Sequence, residues 1–135
     1  MTATNGQRTL LPQGWPQPKG YANGIVVRGT QIFLGGQIGW DEEGRLAGDF
    51  VAQVRQALDN IVRLLREAGA GPQHVARLVW YVADMDAYTG NLKEIGQAYR
   101  SLFGRHYPSM TLVQVVRLVE AGAKVEIEAT AVLPD

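Results

Sequence analysis

Apolar and polar residues alternate strictly at the far end of the chain. In "KVEIEATAVL", residues 124–133, Val125, Ile127, Ala129, Ala131 and Leu133 fall on one side, and Glu126, Glu128, Thr130 and Val132 on the other. A period of two is that of a strand with one face on a core. "GIVVRGTQIFLGGQIGW" predicts two further strands, near 24–28 and 31–39, joined by a Gly29-Thr30 turn, and "DEEGRLAGD" a loop with a short bridge at Leu46. From Asp49 the period lengthens. Val51, Val54, Leu58, Ile61, Leu65 and Ala68 form one helical stripe, with Asp49 as N-cap and Gly69 as stop. "HVARLVWYVAD", 74–84, reads as a buried strand. A second helix carries Tyr88, Leu92, Ile95, Tyr99 and Leu102, and Pro108 bars its continuation. "MTLVQVVRLV" and "KVEIEATAVL" complete the series as a final strand pair with a loop at "EAGA". Residues 1–20, with Pro12, Pro16 and Pro18, predict a loose arm held by Trp15; residues 21–135 predict a single domain.

The order is β-β-α-β-α-β-β, an α+β domain of two layers with both helices on one face of the sheet. Helices on one face leave the other bare. Yet strand 78–82 is apolar on both faces, with Leu78, Trp80 and Val82 against Val79 and Tyr81. Strand 111–118 repeats this, with Val113 and Val115 against Leu112, Val116 and Leu118. A strand apolar on both faces asks for cover on both, so a second copy of the chain is expected on the open face. Glu126 and Glu128 then lie near a junction between subunits, where clefts form.

Composition narrows the chemistry. Formal net charge is zero, 46% of residues are hydrophobic and 19% charged. A neutral chain without a basic patch argues against nucleic acid as partner. The absence of cysteine excludes disulfides and thiolate metal sites, and no stretch has the length of a membrane span or signal peptide. A soluble, cytoplasmic protein is expected. "DMD", 84–86, fits a strand end and helix cap better than a metal site, and His106 in "GRHYP" fits a capping or surface role. Two readings stay open for "GGQIG", 35–39: a bulge, or glycines that let a ligand or backbone approach. Two also stay open for the glutamates: ion pairs with Arg28, Arg77 or Arg117, or acids turned toward a cleft.

Taken in order, "GYANG", "GGQIGWD", "QVRQALDNIVRLLREAGA", "VWYVADM", "YPSMTLVQVVRL" and "VEIEATAV" resemble the Rid superfamily, the YjgF-like or RutC-like reactive-intermediate deaminases, over nearly the whole chain from residue 20. The resemblance implies a fold like that of the AroH-type chorismate mutases, and a homotrimer with an inner sheet barrel and clefts between subunits. It implies cofactor-free, metal-free hydrolysis of a small enamine or imine to a keto compound and ammonia. By the same resemblance Glu126 positions the attacking water, and Tyr21, Gly36 and Gln37 bind substrate. Here Gly20 replaces the proline before the family tyrosine, and Gly35 the usual serine. The larger departure is Pro108-Ser109-Met110 in place of a "P-A-R" motif, with Leu112 at the polar or cysteine position two residues on. The missing guanidinium forfeits roughly 1.5–3 kcal/mol or more, about ten- to a hundredfold in carboxylate binding. Met110 and Leu112 shape a more apolar pocket, and Arg105, five residues upstream, is a candidate substitute cation. The rival reading is a trimer of the same fold that binds a small ligand without turnover or regulates a partner enzyme. A ribonuclease, an old label of this family, is disfavoured by the neutral charge.

Overall fold

The computed structural model describes residues 5–135; the first four residues of the arm lie outside it. The arm is more ordered than its prolines suggest. Strand β1 (Arg8–Thr9) pairs antiparallel with β2 (Ile25–Val26), and the Asn5 and Gln7 amides donate to the carbonyls of Gln73 and Val75, at 2.9 and 3.0 Å. Trp15, the expected anchor, is 57% exposed. These pairings also correct the expected first hairpin: β2 joins β1, whereas β3 (Thr30–Ile38) joins the main sheet.

Helix α1 (Phe50–Glu67) follows its pattern. The extended Asp49 accepts a hydrogen bond from the Ala52 N–H at 2.8 Å, satisfying a first-turn donor. Val54, Ala57, Leu58, Ile61, Val62 and Leu65 are buried along one stripe, and Gly69, at φ +73°, takes the left-handed turn that ends the helix. A short 3₁₀ turn at Pro72–His74 leads into β4 (Val75–Val82).

The expected second helix is two: α2 (Met85–Thr89), capped by Asp84, and α3 (Leu92–Phe103). The break falls at Gly90-Asn91, where the Asn91 side chain donates to the Ala87 carbonyl at 2.7 Å and competes with the helix ladder. Gly104, at φ +63°, stops α3 four residues before Pro108.

The main sheet has the order β3-β6-β4-β5, with β5 spanning Ser109–Gln114 and β6 Val125–Leu133. β6 runs antiparallel to both β3 and β4. β5 runs parallel to β4, as a strand reached through a helical crossover must. The last two strands are therefore not a pair, since β4 lies between β6 and β5. β5 is also shorter than the expected 111–118. β4 ends at Val82, the Val115 N–H makes a last bond to the Val82 carbonyl, and beyond it no strand remains to pair with. Val116 and Val119 consequently stand fully exposed on the loop that follows.

Helices α1 and α3 cover one face, sealing Leu78, Trp80 and Val82 of β4 and Val125, Ile127, Ala129 and Ala131 of β6. Gln53 is the buried polar exception. Its amide donates to the Ala47 and Gly122 carbonyls and accepts from the Lys124 N–H, at 3.0, 3.1 and 2.8 Å, tying two loops to α1. On the open face Phe33 is 72% and Val113 40% exposed, while Val79 is buried.

Candidate active site

The even positions of β6 place Glu126, Glu128 and Thr130 on the open face. Opposite them β3 is irregular. Leu34 pairs with Ala129 and Gln37 with Ile127, so Gly35 and Gly36 together oppose Glu128: a bulge. The bulge brings the Gly36 backbone against the Glu126 side chain. A Cβ at position 36 would stand 2.7 Å from Glu126 Cδ and overlap its carboxylate. The bulge reading of the glycine tract holds, and what comes close to it is the Glu126 side chain.

The two glutamates differ in their partners. Glu128 accepts a hydrogen bond from the Tyr81 hydroxyl at 2.5 Å, and that bond is the main reason the Tyr81 phenol is held above its ordinary pKa. Glu126, half-buried, receives no hydrogen bond and joins no ion pair among the described residues. The ion-pair alternative fails for both: Arg28 faces Asp135 at 3.6 Å, and neither Arg77 nor Arg117 meets either carboxylate. An ionised carboxylate is an acceptor only, so the lone pairs of Glu126 are left for water or a ligand.

Met110 and Leu112 pair with Leu78 and Trp80 across the parallel register, which turns both toward the helix side, where they pack on the core. The segment before β2 runs beside β5: the Ala22 N–H donates to the Pro108 carbonyl at 3.0 Å, and Ala22 bridges Ser109. Tyr21 is thereby set beside Met110. Together with Asn23, Arg77, Ser109 and Thr111 they line a cleft of about 340 Å³. Arg105 lines a different cleft, beside Tyr21, His106 and the arm. His106 is structural: its Nε2 lies 2.7 Å from the Val75 carbonyl, and its own carbonyl accepts from the Tyr99 hydroxyl at 2.5 Å. Gln37 lines a surface cleft with Trp40 and with Asn60 and Arg63 of α1.

One chain thus holds two separate groups. Glu126 and Gly36 lie at the β3–β6 seam on the open face; Tyr21 and Met110 lie at the β5 edge. Strand geometry puts Glu126 and Met110 two strands and three residues apart, on the order of 14 Å. Sequence reasoning passed over Arg77 as a site residue. Its signal was present, since it is the polar position in an otherwise apolar strand, and in the structure it brings a cation to the cleft of Tyr21 and Met110. Among the described residues no helix is long and apolar enough to cross a membrane.

Residues 16–133 match the family model described as endoribonuclease L-PSP. The chain belongs to this family, also called the YjgF/RutC/Rid family. It is 30% identical to a RutC family protein of Pyrococcus horikoshii, over 93% of this chain and 97% of that one. It is 35% identical to the 2-iminobutanoate/2-iminopropanoate deaminase of Mus musculus, over 83% of this chain and 80% of that one. The crystal structure of a Rid-family protein of unknown function from Yersinia pestis superposes with a TM-score of 0.83 at 30% identity, covering 95% of this chain and 99% of that one. The YjgF/Rid-type α+β fold expected from the ordered motifs is the fold found.

Proposed function

We propose that this Rid-family chain hydrolyses a small imine, or an enamine through its imine tautomer, in clefts between the subunits of a homotrimer. Water adds to the C=N carbon, the C–N bond then breaks, and a carbonyl compound and ammonia leave. Glu126 accepts a hydrogen bond from the attacking water, takes its proton as the C–O bond forms, and returns it to the nitrogen, which leaves as ammonia as the remaining hydroxyl proton follows and the C=O bond forms. Tyr21 and the Gly36–Gln37 backbone hold the substrate, and Met110 shapes the wall beside it. Arg77 offers the cation to a substrate carboxylate, in place of the arginine that Met110 replaces. Assembly is part of the reading, because Glu126 and Met110 are far apart within a chain, and a neighbouring copy is the means of joining them.

The observation that carries this reading is the Glu126 carboxylate, half-buried, without a partner among the described residues and seated on a glycine bulge. The deaminase names of several relatives support the reaction class. The second reading, a trimer that binds a small ligand without turnover, is favoured by Met110 at the arginine position. The test generates imines in situ with an amino-acid oxidase and follows their hydrolysis by wild type, Glu126→Gln and Met110→Arg. Loss of activity in Glu126→Gln supports the enzyme. An inert wild type, with activity gained only by Met110→Arg, supports the binding protein.

A further inference from the structure

Two carbonyls, one on either side of His74, hold the start of the arm. The Gln73 carbonyl accepts from the Asn5 amide at 2.9 Å. The Val75 carbonyl accepts from the Gln7 amide at 3.0 Å and from the His106 ring at 2.7 Å, one for each of its lone pairs. The arm in turn walls a cleft of about 350 Å³, which Asn5, Gln7 and Leu10 line together with Tyr21, Arg105 and His106. Where the arm sits therefore depends on the shape of the 3₁₀ turn at Pro72–His74.

A reciprocal pair of bonds closes that turn. The His74 N–H donates to the Gly71 carbonyl at 2.9 Å, and the Gly71 N–H donates to His74 Nδ1 at 3.0 Å. An accepting ring nitrogen carries no proton, so this bond requires neutral His74 with its proton on Nε2. A second proton goes to Nδ1, and a donor then faces a donor. His106 is different: its Nε2 meets a carbonyl, so it donates there whether its ring is neutral or charged. Around the turn, the arm brings the uncharged Asn5 and Gln7, and β6 brings Ala131 opposite Val75. From the α3 side come His106 and Tyr99, whose phenol burial keeps neutral. No carboxylate forms an ion pair with His74 among the described residues. Burial first, and then the charge of His106, hold the His74 imidazole below its ordinary value.

We propose that His74 is a proton-operated latch for the arm: neutral, it closes the turn whose carbonyls anchor Asn5 and Gln7; protonated, it loosens that turn, frees the arm and opens the cleft of Tyr21 and Arg105. The docked arm disfavours the charged ring, so docking is fully supported above the ordinary histidine value of about 6.5 and is lost as the pH falls through the lowered value. Each pKa unit of lowering is a tenfold shift between docked and released arm. The proposal goes beyond the deaminase reading and uses neither Glu126 nor hydrolysis.

The test measures amide hydrogen exchange in the full-length chain between about pH 8 and about pH 5, the range in which histidine titrates. Rates are converted to protection factors, which removes the pH dependence of the exchange chemistry. Two amides report the latch: Gly71, bonded to His74 Nδ1, and Leu10 of the arm, bonded to the Gly24 carbonyl. In wild type both should lose about tenfold in protection toward acid, with the midpoint of the His74 ring resonances. His74→Asn offers an amide oxygen near the place of Nδ1 and does not titrate, so it should hold its protection across the range. His74→Leu offers no acceptor and should show low protection at both ends, without a step. Leu10 should exchange faster than Leu58 of the α1 core at every pH, because the arm opens while the sheet stays folded. Protection that is flat with pH in wild type overturns the proposal. So does a loss that persists in His74→Asn or follows the His106 resonances instead. Equal exchange at Leu10 and Leu58 also overturns it, by making the opening global. Imine hydrolysis enters none of these outcomes, so the latch and the deaminase reading stand or fall separately.

Discussion

The Glu126 carboxylate rests on the backbone of Gly36, where any Cβ would have to displace it. A Cβ on Gly36 would stand 2.7 Å from Glu126 Cδ and 2.8 Å from its Cγ, whereas a Cβ on Gly35 meets nothing within 4 Å. The two glycines form a matched experiment. Gly36→Ala should push the carboxylate away and lower imine hydrolysis to the level of Glu126→Gln. Because only the end of a half-buried side chain has to move, stability should change by no more than about 1 kcal/mol. Gly35→Ala should leave both nearly unchanged. Initial rates and thermal melts check this; equal activity in the two variants would mean that the bulge does not position Glu126.

Tyr81 and Glu128 define a second measurable pair. The hydrogen bond to Glu128, followed by burial, raises the Tyr81 phenol above its ordinary value of about 10. The sign of the linkage follows. A group whose pKa is raised on folding contributes stability fully below its unfolded pKa and loses it as pH climbs through the folded value. Stability should therefore decline on the alkaline side of about pH 10, and part of that decline should vanish in Tyr81→Phe. Urea midpoints at neutral and alkaline pH measure it. A variant whose alkaline decline matches that of wild type refutes the assignment. Near neutrality Tyr81→Phe should leave hydrolysis largely intact, because Tyr81 donates to Glu128 and not to Glu126.

How far the sequence could carry this is set by range. The face of β6 was legible from alternation, and α1 from its stripe and the Asp49 cap, because both patterns are local. Pairing is not local. Nothing in residues 8–9 announces that Arg8–Thr9 will take β2 away from β3, and the apolar run 111–118 does not show that its partner ends at Val82. The distinction between the glutamates was equally hidden. Glu126 and Glu128 look alike in "VEIEA"; Gly36, far upstream, and Tyr81, on the neighbouring strand, give them different surroundings. Parallel pairing of β5 with β4 could have been read from the helical crossover. That register turns Met110 and Leu112 toward the helices.

Gln53, an ordinary residue on a helix stripe, makes the strongest stability prediction. Its buried amide closes three hydrogen bonds to residues 47, 122 and 124. Gln53→Leu keeps much of the volume and strands three backbone groups. Each unsatisfied buried group costs about 1–3 kcal/mol, and partial rehydration of the loops reduces the sum, so a net loss of about 2–4 kcal/mol is expected. Urea unfolding should show a lower midpoint at nearly constant slope. A loss below about 0.5 kcal/mol, the usual range of surface changes, means that the loops satisfy those groups without Gln53.

Phe33 tests the assembly on which the functional reading depends. It pairs with Thr130, so it shares the open face with Glu126 and Glu128, and it is 72% exposed in the single chain. Burying such a ring is worth roughly 1.5–3 kcal/mol per copy, and a charge in its place reverses the sign. Phe33→Glu touches none of the helix-side core, so an isolated chain should fold as well with it as without it. In light scattering the wild type should have the mass of three copies, and Phe33→Glu should fall toward one copy with its helical circular dichroism preserved. Hydrolysis should fall in step with mass, because the single copy separates Glu126 from Tyr21 and Met110. A single-copy variant that hydrolyses imines as well as wild type would put the whole site within one chain. An undiminished mass would place the seam away from the open face.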